Sequence, residues 1–170
     1  INMKTLRNLI LLSRIGMLPL SLSVPIIGAL SLRQTPSLVH LLALAGIGMS
    51  AHFFGFVLND LMDYTLDKNH PYRQQSLLVT GVVKRWQAWG FVLVQIPIAV
   101  GLYLGVLQGR ADGLICLTGS VGLSVVYNLF SKWRWLPRIL AEIALASSVT
   151  LLAISGAWAF QPMLPPDALL

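Results

Sequence analysis

Five stretches of apolar sequence, each about as long as a lipid bilayer is thick, decide what this chain can fold into. They run from about 15 to 32, 37 to 58, 86 to 107, 113 to 130 and 139 to 160. At 1.5 Å rise per residue, about 20 helical residues cross a hydrocarbon core of roughly 30 Å. No water is available there, so each segment must satisfy its own backbone donors and acceptors, which a helix does alone. The expected fold class is an all-α integral membrane protein with five transmembrane helices. Composition agrees: 56% of the 170 residues are hydrophobic and only 11% are charged, where a soluble domain carries about a quarter.

The connections set the orientation. Lys4, Arg7 and Arg14 precede the first span, inside a basic amphipathic lead-in, MKTLRNLILLSR. Lys68, Arg73, Lys84 and Arg85 lie between spans two and three, and Lys132, Arg134 and Arg138 between four and five. The other connections hold only Arg33 and Arg110, a split of ten against two. The positive-inside rule places the N-terminus and both basic connections in the cytoplasm. The net charge of +6 is thus a matter of topology, and no nucleic-acid partner is implied. Pro19 and Pro25 predict a kinked first span. Cys116 is the only cysteine, which leaves no disulfide framework and no thiolate metal site.

The acidic residues are distributed differently. The chain has six, and Asp60, Asp63 and Asp67 fall within eight positions at the end of the second apolar run, in FGFVLNDLMDYTLDKNHPYR. Asn59, Asp63 and Asp67 are spaced i, i+4, i+8, so a helix continued to about residue 67 lines their oxygens along one stripe. Like charges so close repel, and near lipid they are costly unless a cation compensates. Carboxylates and an amide oxygen are hard ligands suited to Mg²⁺ or Ca²⁺, and Mg²⁺ commonly keeps waters and shares substrate phosphates. With Lys and Arg nearby, the stripe has the layout of a Mg²⁺–diphosphate site. A solvated helix end paired to Lys68, Arg73 or Lys84 is the plainer reading, but the acids are too concentrated for it. An EF-hand is excluded, because the spacing is three and four and no glycine occupies the turn position.

These residues carry a resemblance. NDLMDYTLD matches N-D-x-x-D-x-x-x-D of the UbiA superfamily of intramembrane prenyltransferases at every fixed position. NHPYR and Thr80–Gly81 resemble the N-x-P-x-R-P and S-G that tend to follow it, with Gln74 replacing a proline and a slightly longer interval. YNLFSKW, with Tyr127 and Lys132, resembles the family's Tyr-x-x-x-x-Lys after its fourth helix. Arg14 stands where the family often has Arg-Pro, with Ile15 in place of the proline.

The resemblance implies that residues 1–170 form one transmembrane helical domain, with helices near 15–32, 37–67, 86–107, 113–130 and 139–160. These would be the first part of a nine-helix fold. The family's second aspartate-rich motif, expected after a sixth helix, is absent, so the chain is expected to be part of a longer protein or a subunit beside a partner chain. The implied activity is Mg²⁺-dependent transfer of an isoprenoid from a prenyl diphosphate to a small, lipophilic or aromatic acceptor in the membrane. The alternative is a non-catalytic membrane subunit that keeps the lipid or diphosphate pocket. By this resemblance Asn59, Asp63 and Asp67 hold Mg²⁺, and Asp67 can also orient Arg73. Lys132 and Arg73 bind diphosphate oxygens, Tyr127 hydrogen-bonds them and Arg14 assists. Asp60 orients a ligand or binds the acceptor, and Tyr64 is the aromatic neighbour of an allylic cation.

Other residues have simpler readings. His52 shares the face of Asn59 and is a candidate for the acceptor site, but a buried histidine satisfied by a neighbouring helix is the simpler account. Glu142 is an intramembrane acid with Arg138 at i−4 to pair it. Trp86, Trp89, Trp133 and Trp135 read as an interfacial aromatic belt. Gly46, Gly48, Gly101, Gly105, Gly119 and Gly122 read as close helix packing.

Overall fold

The computed structural model describes residues 3–31, 36–131 and 137–159. Their secondary structure is helical throughout: α1 (Met3–Leu12), α2 (Leu18–Ser31), α3 (Leu38–Asn69), α4 (Arg85–Gly101), α5 (Ala111–Phe130) and α6 (Arg138–Ala157). A single 3₁₀ turn, Ile15–Met17, leads into α2, and a π turn, Leu102–Val106, extends α4. Four helices are long and apolar enough to cross a membrane, and a fifth span forms if α1 and α2 count as one bent crossing.

The lead-in forms its own helix. α1 buries Leu9 and Leu12 against α3 and leaves Lys4 and Arg7 exposed. Its axis is bent by 61° from the segment that follows. The turn is made at Arg14, whose φ of 56° is left-handed, a conformation rare for a residue with a side chain. The Ser13 hydroxyl closes the preceding turn by donating to the Ile10 carbonyl at 2.6 Å. Pro19 falls in the first turn of α2, where its missing N–H costs nothing. Pro25 lies inside α2, which continues through it as one helix. The Ser21 carbonyl that Pro25 leaves without its helical donor faces α3 at Gly48.

α2 packs so closely that its neighbours must be glycine. A Cβ at Gly156 of α6 would collide with the Pro25 carbonyl, and one at Gly48 would come within 2.5 Å of the Ser21 oxygen. Of the glycines expected to pack closely, Gly46, Gly48 and Gly119 do, whereas Gly101, Gly105 and Gly122 have open space beside them. Gly28 and Gly156, not anticipated, make the tightest α2–α6 contact.

α3 is the central element and touches α1, α2, α4 and α5, while α6 joins α2 to α5. Its 32 residues measure roughly 48 Å at 1.5 Å each. That exceeds a hydrocarbon core by several turns, so the polar stretch from Asn59 onward projects beyond it. The chain then returns to α4 through tight turns. Leu78 and Val83 anchor these turns in the core with Leu58, Leu61 and Phe91. Gly81 takes φ 74°, a position that suits glycine and explains the Thr80–Gly81 pair.

Candidate functional site

The continuous helix carries the stripe as one surface. Asn59 and Asp63 lie one turn apart, and Asn59 Nδ2 donates to Asp63 Oδ2 at 3.1 Å. Asp67 follows, half-buried, on the next turn. Asp60 points about 100° away, as its place in the helix requires, and there it meets Arg14. The Arg14 Nη2 donates to Asp60 Oδ1 at 3.0 Å, and the guanidinium lies 5.5 Å from the centre of the Phe56 ring. The left-handed backbone at Arg14 therefore ends α1 and also brings a cation onto α3. Asp67 and Arg73, which is exposed in the first turn after α3, both act electrostatically on Asp60. The ring of Tyr64 is covered by Arg85, 4.9 Å from its centre, a cation that was not anticipated. Tyr127 is half-buried in the last turn of α5. Lys132 lies outside the described residues.

Beneath this polar end α2, α3, α5 and α6 line a partly open cavity of about 310 Å³. Ser21, His52, Phe56, Val121, Ser124 and Ser148 are among its lining residues. A second, more apolar cavity of about 240 Å³ lies between α3, α4 and α5, and shares Ala51, Phe54, Val121 and Leu152 with the first. His52 Nδ1 is 2.9 Å from the Ser21 hydroxyl, a helix-to-helix link of the simpler kind. Its Nε2 makes no hydrogen bond of good geometry, although the Ser13 carbonyl is its polar neighbour. Phe53 stacks on Phe91 at 5.4 Å, and Phe54 is buried in the core. Glu142 pairs with Arg138 at 3.6 Å.

Whether these residues suit Mg²⁺ can be judged from the donors. Among the described residues no three of His, Cys, Asp or Glu converge on one point, so the stripe is not an all-protein cage. Asn59 and Asp63 are hard oxygen donors on adjacent turns, which suits a cation that keeps waters and takes further oxygens from a phosphate. Asn128, on the last turn of α5, carries a buried carbonyl oxygen with no partner. The donor set fits. Sequence reasoning passed over Asn128; its only local signal is an amide inside an apolar helix.

A family model for the UbiA prenyltransferase family matches residues 20–170. The match takes in the stripe, both cavities, α2 from residue 20 and α3 to α6, and it begins after Arg14. No curated protein and no solved structure matches the chain. A match over that much of the sequence, on an all-helical membrane fold whose central helix carries N-D-x-x-D-x-x-x-D, shows that this chain belongs to the UbiA prenyltransferase family.

Proposed function

We propose that this protein transfers an isoprenoid chain from a prenyl diphosphate to a small lipophilic acceptor within the membrane. One observation carries the reading. A single helix, α3, lines two apolar cavities and then presents the Asn59–Asp63–Asp67 stripe, which begins within two turns of them. An amphiphile with a diphosphate head and a hydrocarbon tail matches that sequence of environments.

In this reading Asn59, Asp63 and Asp67 hold Mg²⁺, which when bound neutralises charge on the departing diphosphate. Arg73, Lys132 and Tyr127 bind diphosphate oxygens. Arg14 is held by Asp60 and contributes positive potential at the mouth. As the allylic C–O bond ionises, the cavities keep water from the carbocation, and Phe56, which lines the larger cavity, and the Tyr64 face not covered by Arg85 are the aromatic surfaces nearest to it. The acceptor attacks from within the cavity, the new C–C or C–O bond replacing the broken allylic C–O bond, and the proton it loses passes to water or diphosphate at the mouth, with Asp60 near its entrance. The polar end of α3 faces the cytoplasm, following the ten-to-two split of basic residues.

Two measurements test this. The protein in membranes should release diphosphate from a prenyl diphosphate in the presence of an acceptor, and a magnesium chelator should stop it. A cysteine at position 68 should resist labelling from outside, and one at 110 should be labelled. Silence in the first assay at every Mg²⁺ concentration would favour the non-catalytic pocket.

A further inference from the structure

All three oxygen-bearing residues of the stripe stand on α3, so the site described so far is one-sided. α5 forms the facing wall. The two helices run parallel. Ile47 and Leu117 line one cavity, Ala51 and Val121 lie one turn further along it, and a side chain added at Gly55 would touch the Ser124 hydroxyl at 3.7 Å. Four more residues advance each helix by about 6 Å, which brings Asn128 level with Asn59.

Asn128 is only 2% exposed. Its Nδ2 donates to the Ser124 carbonyl at 2.8 Å. A carbonyl can only accept, so this bond fixes which end of the amide is nitrogen and leaves Oδ1 as the free end. Oδ1 has no hydrogen-bond partner. α6 cannot supply one. Gly113 lies against Trp158, and Ser148 Oγ donates to the Ser120 carbonyl at 2.8 Å, so α6 runs antiparallel to α5 and its turn 140–143 falls level with Asn128; the one polar side chain of that turn, Glu142, is an acceptor paired to Arg138. One turn beyond Asn128, the buried hydroxyl of Ser131 also has no partner. A buried acceptor left unmade costs about 1–3 kcal/mol, and such groups persist where a ligand uses them.

We infer that Asn128 Oδ1 is a further oxygen ligand of the diphosphate-bound divalent cation, supplied from α5 opposite the Asn59–Asp63 stripe. The inference rests on the function proposed above. An amide oxygen is hard enough for Mg²⁺ and adds no negative charge to a place that already gathers carboxylates and a diphosphate. A residue that served only to hydrogen-bond an acceptor hydroxyl would leave cation affinity unchanged.

The test uses the full chain in lipid nanodiscs, Mn²⁺ as a paramagnetic probe, and inorganic diphosphate, with binding followed by electron paramagnetic resonance. Diphosphate should tighten Mn²⁺ binding to the wild type. Asn128→Leu, close in shape, should weaken that binding at least about tenfold. Asn128→Asp, which restores an oxygen, should retain it. The melting temperature of the metal-free Asn128→Leu protein should be unchanged or higher, because an unsatisfied group has been removed. If Asn128→Leu binds Mn²⁺ like wild type while Asp63→Asn does not, Asn128 is no ligand and the proposed site stands. If both Asn128 variants bind weakly and melt well below wild type, the residue is structural and the inference fails. If diphosphate never tightens Mn²⁺ binding, or Asp63→Asn leaves it unaltered, the inference and the proposed function fail together.

Discussion

The α2–α6 seam and the α3–α5 seam are built from opposite materials. Between α2 and α6 the backbones touch: Gly28 lies against the Ala153 carbonyl and Gly156 against that of Pro25. No room is left for a side chain. Between α3 and α5 the helices part around cavities, and their far ends hold Asn59, Asp63 and an amide oxygen of Asn128 with no partner. In a membrane, helices gain little from apolar burial, so stability comes from close backbone approach. The first seam supplies it. The second gives up packing and leaves the Asn128 Oδ1 unsatisfied, as expected where a ligand completes the structure.

Substitutions should separate the two seams. The largest effect belongs to the tight one. Gly156→Leu places a side chain inside the Pro25 carbonyl and must push α2 from α6. We expect a loss of more than about 3 kcal/mol, beyond ordinary overpacking because backbone rather than side chain must move. It should be read as a collapse of the detergent-solubilised melting temperature. A wild-type melting curve would mean that the seam is looser than described.

At the open end the Arg14–Asp60 pair is intermediate. Asp60 is largely buried while Arg14 is 42% exposed, so solvent screens part of the interaction. Arg14→Met should cost about 1–2 kcal/mol, less than a fully buried pair would lose. Adding Asp60→Asn should recover most of it, since the stranded carboxylate carries the penalty. If the double variant melts no higher than the single one, the pair is not what holds α1 to α3. The smallest effect is Glu142→Gln. Its partner Arg138 is exposed, and the change should be under about 0.5 kcal/mol by the same measurement. A large loss there would mean that Glu142 has a role beyond this surface pair.

The fold class was legible because lipid-length apolar runs leave a chain few choices, and the motif was legible because its spacing matches one face of a helix. The bend was not. Proline was the visible signal in the first span, but the chain turns at Arg14, a left-handed residue whose side chain meets a partner 46 positions away. Gly28 and Gly156 were missed for a similar reason. A glycine in an apolar helix looks alike whether it faces a carbonyl or open space, and only the neighbouring helix decides. Asn128 shows the limit most plainly. Its hydrogen bond to Ser124 is local, and what marks it is a missing partner from α3 and α6.

The central claim is that the α3 stripe is an active site rather than a solvated helix end, and Asp63→Asn tests it most directly. The substitution keeps size and one oxygen, so Asn59 still finds a partner, and removing a carboxylate from a self-repelling set does not weaken the helix. Membrane insertion and melting temperature should be preserved. Diphosphate carries several negative charges and joins the carboxylates only through a divalent cation, so the loss should appear in kcat, where leaving-group charge is greatest. We predict a fall of at least about a hundredfold in prenyl transfer at saturating Mg²⁺. A properly folded Asp63→Asn protein that turns over at close to the wild-type rate would contradict the account.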